Sequence, residues 1–148
     1  MKKLFNLNPK TIVIFYMLID IICTGAGMGV PIFCILFGFP LGWYIAKRIF
    51  ISSGHSSLTN SRILKFSALA AAFTFLIMLV IWGPTVRFLF DPTFDFKNFG
   101  HPMILFDPKI SFIGWQVLMI FISPFLQLLT TIFVSFLTLS KQNSSEQI

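Results

Sequence analysis

Charge is what this chain of 148 residues has least of: Asp, Glu, Lys and Arg make up only 11% of it, and five residues are acidic. A water-soluble domain carries about 25% charged residues, so this shortage excludes most soluble folds. Cysteine is limited to Cys23 and Cys34, both inside apolar runs. That excludes a disulfide-stapled secreted scaffold, and two buried free thiols are the expected state. Catalytic signatures are missing too. HExxH, CxxC, GxSxG and GxxxxGK[ST] do not occur, and Gly25, Gly27 and Gly29 neither complete GxGxxG nor follow a strand. The only histidines, His55 and His101, are far apart in the chain. No catalytic residue, cofactor or metal is expected, and the protein reads as a non-enzyme.

Apolar residues fill the space that charge leaves. The chain is 56% hydrophobic with 20 Phe, and its mean hydropathy is +0.87. Such a sequence needs lipid as its solvent, and the expected fold class is an all-α membrane protein forming a single domain over 1–148. The net charge of +6 does not point to nucleic acid, because the basic residues sit at the ends of apolar runs and form no continuous patch.

The first apolar run lies between Lys10 and Lys47 and is interrupted by one charge, Asp20. As a single helix it would be about 54 Å long, against a hydrocarbon core of about 30 Å. The stretch from Gly25 to Pro31 supplies free backbone dihedrals and a helix-opening proline, so two helices are expected, over 9–25 and 31–50. Trp43 and Tyr44 precede Lys47 and Arg48 as an interfacial anchor would. Ser52 to Ser61 reads as a polar loop, and a third helix follows over 63–82 until Gly83 and Pro84 stop it. A connector to Lys109 is too charged to cross lipid. The fourth helix, 110–139, opens with Asp107 and Pro108 as cap and first turn, and its length calls for a tilt or a kink at Pro124. Residues 140–148 read as a flexible cytoplasmic tail.

Four spans place Lys2, Lys3, Lys10, Lys47, Arg48, Arg62, Lys65 and Lys141 on one side and Arg87, Lys97 and Lys109 on the other. Eight against three is a positive-inside bias, whereas a single crossing by the first run would leave five against six. A multi-pass protein of the cell membrane with both termini cytoplasmic is therefore expected. A cleaved signal peptide is a poorer reading, since Asp20 sits inside its apolar core and Thr24, Gly25 and Ala26 make a weak cleavage site.

Asp20 is the residue that asks most for an explanation. It falls about 16 Å along the first helix, close to the bilayer midplane, where an unpaired carboxylate costs at least about 2.5 kcal/mol. Tyr16, Cys23 and Thr24 share its helical face, and no Lys or Arg lies at membrane depth to pair with it. Two readings stay open: a proton or cation site in a transport pathway, and a polar bond that holds the bundle together. On the fourth helix Gln116, Ser123, Gln127, Thr130, Thr131 and Thr138 form one polar stripe, which should meet the first. The candidate ion or proton site is thus Asp20, Tyr16, Thr24 and Gln127. Small residues mark helix packing: Gly38 with Gly42, Ser67 with Ala71, and Ala68 with Ala72.

The connector carries Phe88, Phe90, Phe94, Phe96, Phe99 and Phe106 among its charges. It is expected to lie on the membrane surface or to fold back over the helix ends. Asp91, Asp95, His101 and Asp107 match no closed metal-ligand spacing.

No family is recognisable by motif. Four spans in a short chain with one carboxylate, Asp20, midway along the first resemble the plan of the small multidrug resistance transporters. The long connector, the extended fourth helix and the charge bias depart from that plan, and the bias argues against dual topology. The expected function is association within the lipid bilayer, as a homo-oligomer or with another membrane protein, with a small cation- or proton-coupled transporter or channel using Asp20 as the alternative.

Overall fold

Proline and glycine decide where the helices begin and end. The computed structural model describes residues 9–25, 30–53 and 59–146, in which α1 runs Pro9–Gly25, α2 Val30–Ser53 and α3 Thr59–Trp82. Gly83–Phe90 then tightens into a 3-10 helix, and irregular chain leads to α4 (Pro108–Val117), a π-helical turn (Leu118–Ile122) and α5 (Ser123–Glu146). Among the described residues there is no strand. The expected break at residues 26–29 and the core of the Ser-rich loop, 54–58, lie outside the described residues.

Three helical stretches are long and apolar enough to cross a membrane: Pro31–Ile49, Asn60–Phe90 and Pro108–Gln142. The fourth expected span, α1, has 17 residues with an apolar stretch of Ile14–Cys23. At about 1.5 Å per residue it falls a little short of a hydrocarbon core of about 30 Å. The last helix runs on to Glu146, beyond the expected end at 139. No glycine or proline follows Pro124, and Lys141, Gln142 and Glu146 are good helix formers, so nothing stops it at Leu139.

The irregularity expected at Pro124 takes the form of the π turn. Proline has no N–H and its ring crowds the carbonyl four residues back, so the helix widens over the turn that precedes it. The Ser123 amide and hydroxyl both donate to the Leu118 carbonyl.

The interior mixes polar with apolar side chains, while the exterior of the helices is apolar. Asp20, Ser67, Thr74, Ser111, Gln116, Ser123, Gln127, Thr131 and Ser135 are buried, while Ile22, Ile32, Ile51 and Val80 are each at least 66% exposed. Such an exterior belongs in hydrocarbon. Two apolar clusters flank the buried polar side chains: Cys34, Met78 and Met119 on one side, and Ile45, Ile49 and Ile63 on the other. Cys34 is buried and Cys23 half-buried, both as free thiols.

The most extensive helix contact is between α2 and α5, and glycine makes it possible. A Cβ on Gly38 would overlap the Thr130 hydroxyl, and one on Gly42 would overlap the Thr131 carbonyl oxygen. Ser67 and Ala71 are buried on the inner face of α3, whereas Ala68 and Ala72 are exposed. They lie about 100° further round the helix, so one helix face cannot bury both pairs.

Candidate functional site

Four helices meet around Asp20. Tyr16 and Asp20, one helical turn apart on α1, face α3, where Ser67, Ala71, Thr74 and Met78 form a buried line at the spacing of one helix face. Phe37 of α2 stacks on the Tyr16 ring at 5.2 Å between centroids, and Phe73 of α3 lies against it at 6.3 Å. Gln127 of α5 completes the cluster.

The hydrogen bonds run in one direction. Thr74 Oγ1 has a single hydrogen and gives it to Asp20 Oδ2 at 2.7 Å. The 3.1 Å bond between Tyr16 and Thr74 is therefore donated by the Tyr16 hydroxyl, which in turn accepts from Gln127 Nε2 at 2.7 Å. The Ala70 carbonyl, at 3.3 Å from Thr74 Oγ1 and 3.4 Å from the Tyr16 hydroxyl, is the weaker acceptor for each. A relay of dipoles, Gln127 to Tyr16 to Thr74, thus ends on the carboxylate, and each bond polarises the next in a medium of low dielectric. Asp20 itself is 2% exposed.

Of the expected site residues, Asp20, Tyr16 and Gln127 come together, while the side chain of Thr24 lies outside the described residues. Thr74 is the member that the sequence reading lacked. Its signal was available: it follows Ser67 and Ala71 at i+7 and i+3, the only hydroxyl in the run from Ala68 to Trp82. The polar stripe expected on the fourth helix runs from α4 into α5 and points inward, with Gln116, Ser123, Gln127 and Thr131 buried and Thr130 and Thr138 half-buried. Ser135 extends it and reaches α2, its hydroxyl lying 3.0 Å from the Gly42 carbonyl oxygen and 2.7 Å from that of Thr131. Gln127 Oε1, on the side chain that donates into the relay, is buried without a partner among the described residues, as is Ser67 Oγ about two turns from Thr74 on α3.

The connector carboxylates serve their own turns. Asp91 accepts from the Thr93 hydroxyl and amide, and Asp95 accepts from the Lys97 amide and the Asn98 side chain. These bonds hold both carboxyls below the usual carboxylate range. Asp107 caps α4 by accepting from the Ile110 amide at 2.9 Å. Four of the six connector phenylalanines, Phe88, Phe94, Phe96 and Phe99, gather around each other and Phe112 of α4. Phe90 and Phe106 instead point away, at 84% and 107% exposure.

No known family model, curated protein or solved structure matches the chain.

Proposed function

We propose that this is a four-span protein of the cell membrane, with both termini cytoplasmic, that performs no catalysis of its own and acts by associating in the bilayer as a homo-oligomer or an accessory subunit. The observation that carries this reading is the relay that ends on Asp20. Thr74 of α3 donates to Asp20, and Gln127 of α5 donates to Tyr16, so the two α1 side chains fasten α1 to α3 and α5 and the carboxylate has a structural use that needs no transport. With α1 as a span, eight basic residues lie inside and three outside. Ala68 and Ala72, small and turned outward at i and i+4, leave α3 a face that another helix can approach closely.

Crosslinking between Ala72→Cys variants in native membranes, in a Cys23→Ala background, together with native mass measurement in mild detergent, tests it. A crosslinked dimer or a stoichiometric co-purifying membrane protein is the expected result. Monomers alone, with neither crosslink nor partner, would overturn it.

A second reading is favoured by one observation. Gln127, whose Nε2 donates into the relay that ends on Asp20, keeps a buried Oε1 with no described partner, and such an oxygen in the same network as a buried carboxylate suits a proton or a small cation. In that reading the protein is a small transporter or channel, and Asp20→Asn abolishes cation- or proton-coupled flux in liposomes while insertion and folding persist. Unchanged flux in the variant, or none in the wild type, removes it.

A further inference from the structure

Where α3, the connector and α4 meet, the chain surrounds a partly open cavity of about 360 Å³. That is near the lower end of the range for small-molecule sites, about 300–1,000 Å³. Six of its wall residues are Trp82, Phe88, Phe94, Phe99, Phe112 and Trp115. The rings support one another: Phe88 stacks on Phe94 at 4.6 Å, and Phe94 and Phe99 lie 5.5 and 5.4 Å from Phe112. Gly100 takes a φ of +87°, which glycine adopts without strain, and the next residue, His101, stacks on Trp115 at 4.9 Å. The walls are therefore braced before any ligand arrives.

Charge narrows what fits. None of the lining residues is Asp, Glu, Lys or Arg. Two cations sit on rings of the same aromatic cluster, Arg87 at 5.3 Å from the Phe88 centroid and Lys109 at 5.8 Å from that of Phe96. They disfavour a cation in the aromatic cage, and the wall offers an anion no Lys or Arg, only the imidazole of His101 stacked on Trp115.

Polar atoms supply the remaining requirement. Gln116, 8% exposed, donates from Nε2 to Thr85 Oγ1 at 2.6 Å, and its Oε1 has no partner among the described residues. Trp82 Nε1 is likewise buried and without one. Both belong to residues that line the aromatic cavity, and a small turn of either side chain would present its free group to a ligand that carries the complementary atom. Met119 of the π turn also lines the cavity, and such turns recur at functional sites.

We propose that this cavity binds an uncharged, flat aromatic compound of one or two rings with a hydrogen-bonding edge, of the indole class. Stacking holds the ring, and a ring N–H or an attached polar group meets Gln116 or Trp82.

The test uses the full chain in lipid nanodiscs with a diazirine-bearing indole as photoprobe, the labelled residues being mapped by peptide mass. Label on cavity residues within 82–119, displaced by indole but not by phenyltrimethylammonium or benzoate at the same concentration, is the expected result. Asn98→Trp, which places a large ring at a lining position, should cut cavity labelling about tenfold. Trp82→Phe removes the indole N–H, which has no described partner, together with the area of one ring of the wall, and should lower it at least about fivefold, the worth of one hydrogen bond. Label confined to lipid-facing helix positions would overturn the proposal. So would equal labelling of the wild type and both variants, or displacement by phenyltrimethylammonium as effective as by indole.

Discussion

Thr74→Val keeps the shape of the side chain and removes the hydroxyl on which the relay turns. Two interhelical bonds disappear, the 2.7 Å donation to Asp20 and the 3.1 Å acceptance from Tyr16. At about 0.6 kcal/mol each in a membrane, they account for about 1.2 kcal/mol. The larger cost is the carboxylate left behind at 2% exposure without its donor, a further 1–3 kcal/mol or so. The variant should thus lose about 2–4 kcal/mol. Asp20→Val removes the group that demands a partner, so it should cost less, and Asp20→Val/Thr74→Val should be more stable than Thr74→Val alone. Reversible unfolding in mixed detergent micelles, followed by helix content, yields all four corners of the cycle. A coupling of about 1 kcal/mol or more is expected, and single effects that add to within about 0.5 kcal/mol would refute the reasoning, because independent sites behave that way.

Gly42 of α2 and Gly25 of α1 offer a test of opposite signs in the same assay. Gly42→Ala drives a Cβ into the Thr131 backbone carbonyl, which no rotamer change relieves, and should cost about 1–3 kcal/mol. Gly25→Ala meets no atom within 4 Å and should be neutral or stabilising by about 0.4–1 kcal/mol; equal effects would show that α2 and α5 do not approach at Gly42. For the connector, the Asp91 and Asp95 carboxyls are held below their ordinary range by the Thr93 hydroxyl and by the Lys97 amide, respectively. Folded values below unfolded ones mean that their turns contribute fully above the ordinary carboxylate pKa of about 3.9, and that this contribution fades as pH falls through the lowered values. Carboxyl chemical shifts should titrate below those of an unfolded connector peptide, and coincident titrations would contradict the Asx turns. Ser135→Ala deletes a hydroxyl whose one hydrogen is shared between the Thr131 and Gly42 carbonyls, so it should cost no more than about 0.6 kcal/mol, and a loss above 2 kcal/mol would mean that the hydroxyl does more than join α2 to α5.

Why Tyr16, Asp20 and Gln127 were legible while Thr74 was not follows from what lipid does to a helix. In water, apolar residues mark the buried face. In hydrocarbon both faces are apolar, so periodicity no longer tells inside from outside, and only polar or small side chains carry the rotation of the helix. α1 and the last helix have enough of them: Tyr16 with Asp20, and Gln116, Ser123, Gln127 and Thr131, all fix the inner face. α3 has two overlapping small-residue pairs, Ser67 with Ala71 and Ala68 with Ala72, and spacing cannot choose between them. Thr74 breaks the tie, because it lies on the Ser67 face and not on the Ala68 face. The helix ends were legible where proline or an aspartate cap marks them, as at Pro9 and at Asp107 with Pro108, and were missed where the composition turns polar but no residue opposes helix: at Leu139, at the end of α2, which runs to Ser53 and not 50, and at the start of α3, which is Thr59 and not 63. In the connector the number of phenylalanines forces burial but does not say which ones. Phe112, absent from the expected set, receives Phe94, Phe96 and Phe99 because α4 presents it one turn inside the Asp107 cap, where the returning chain must pass.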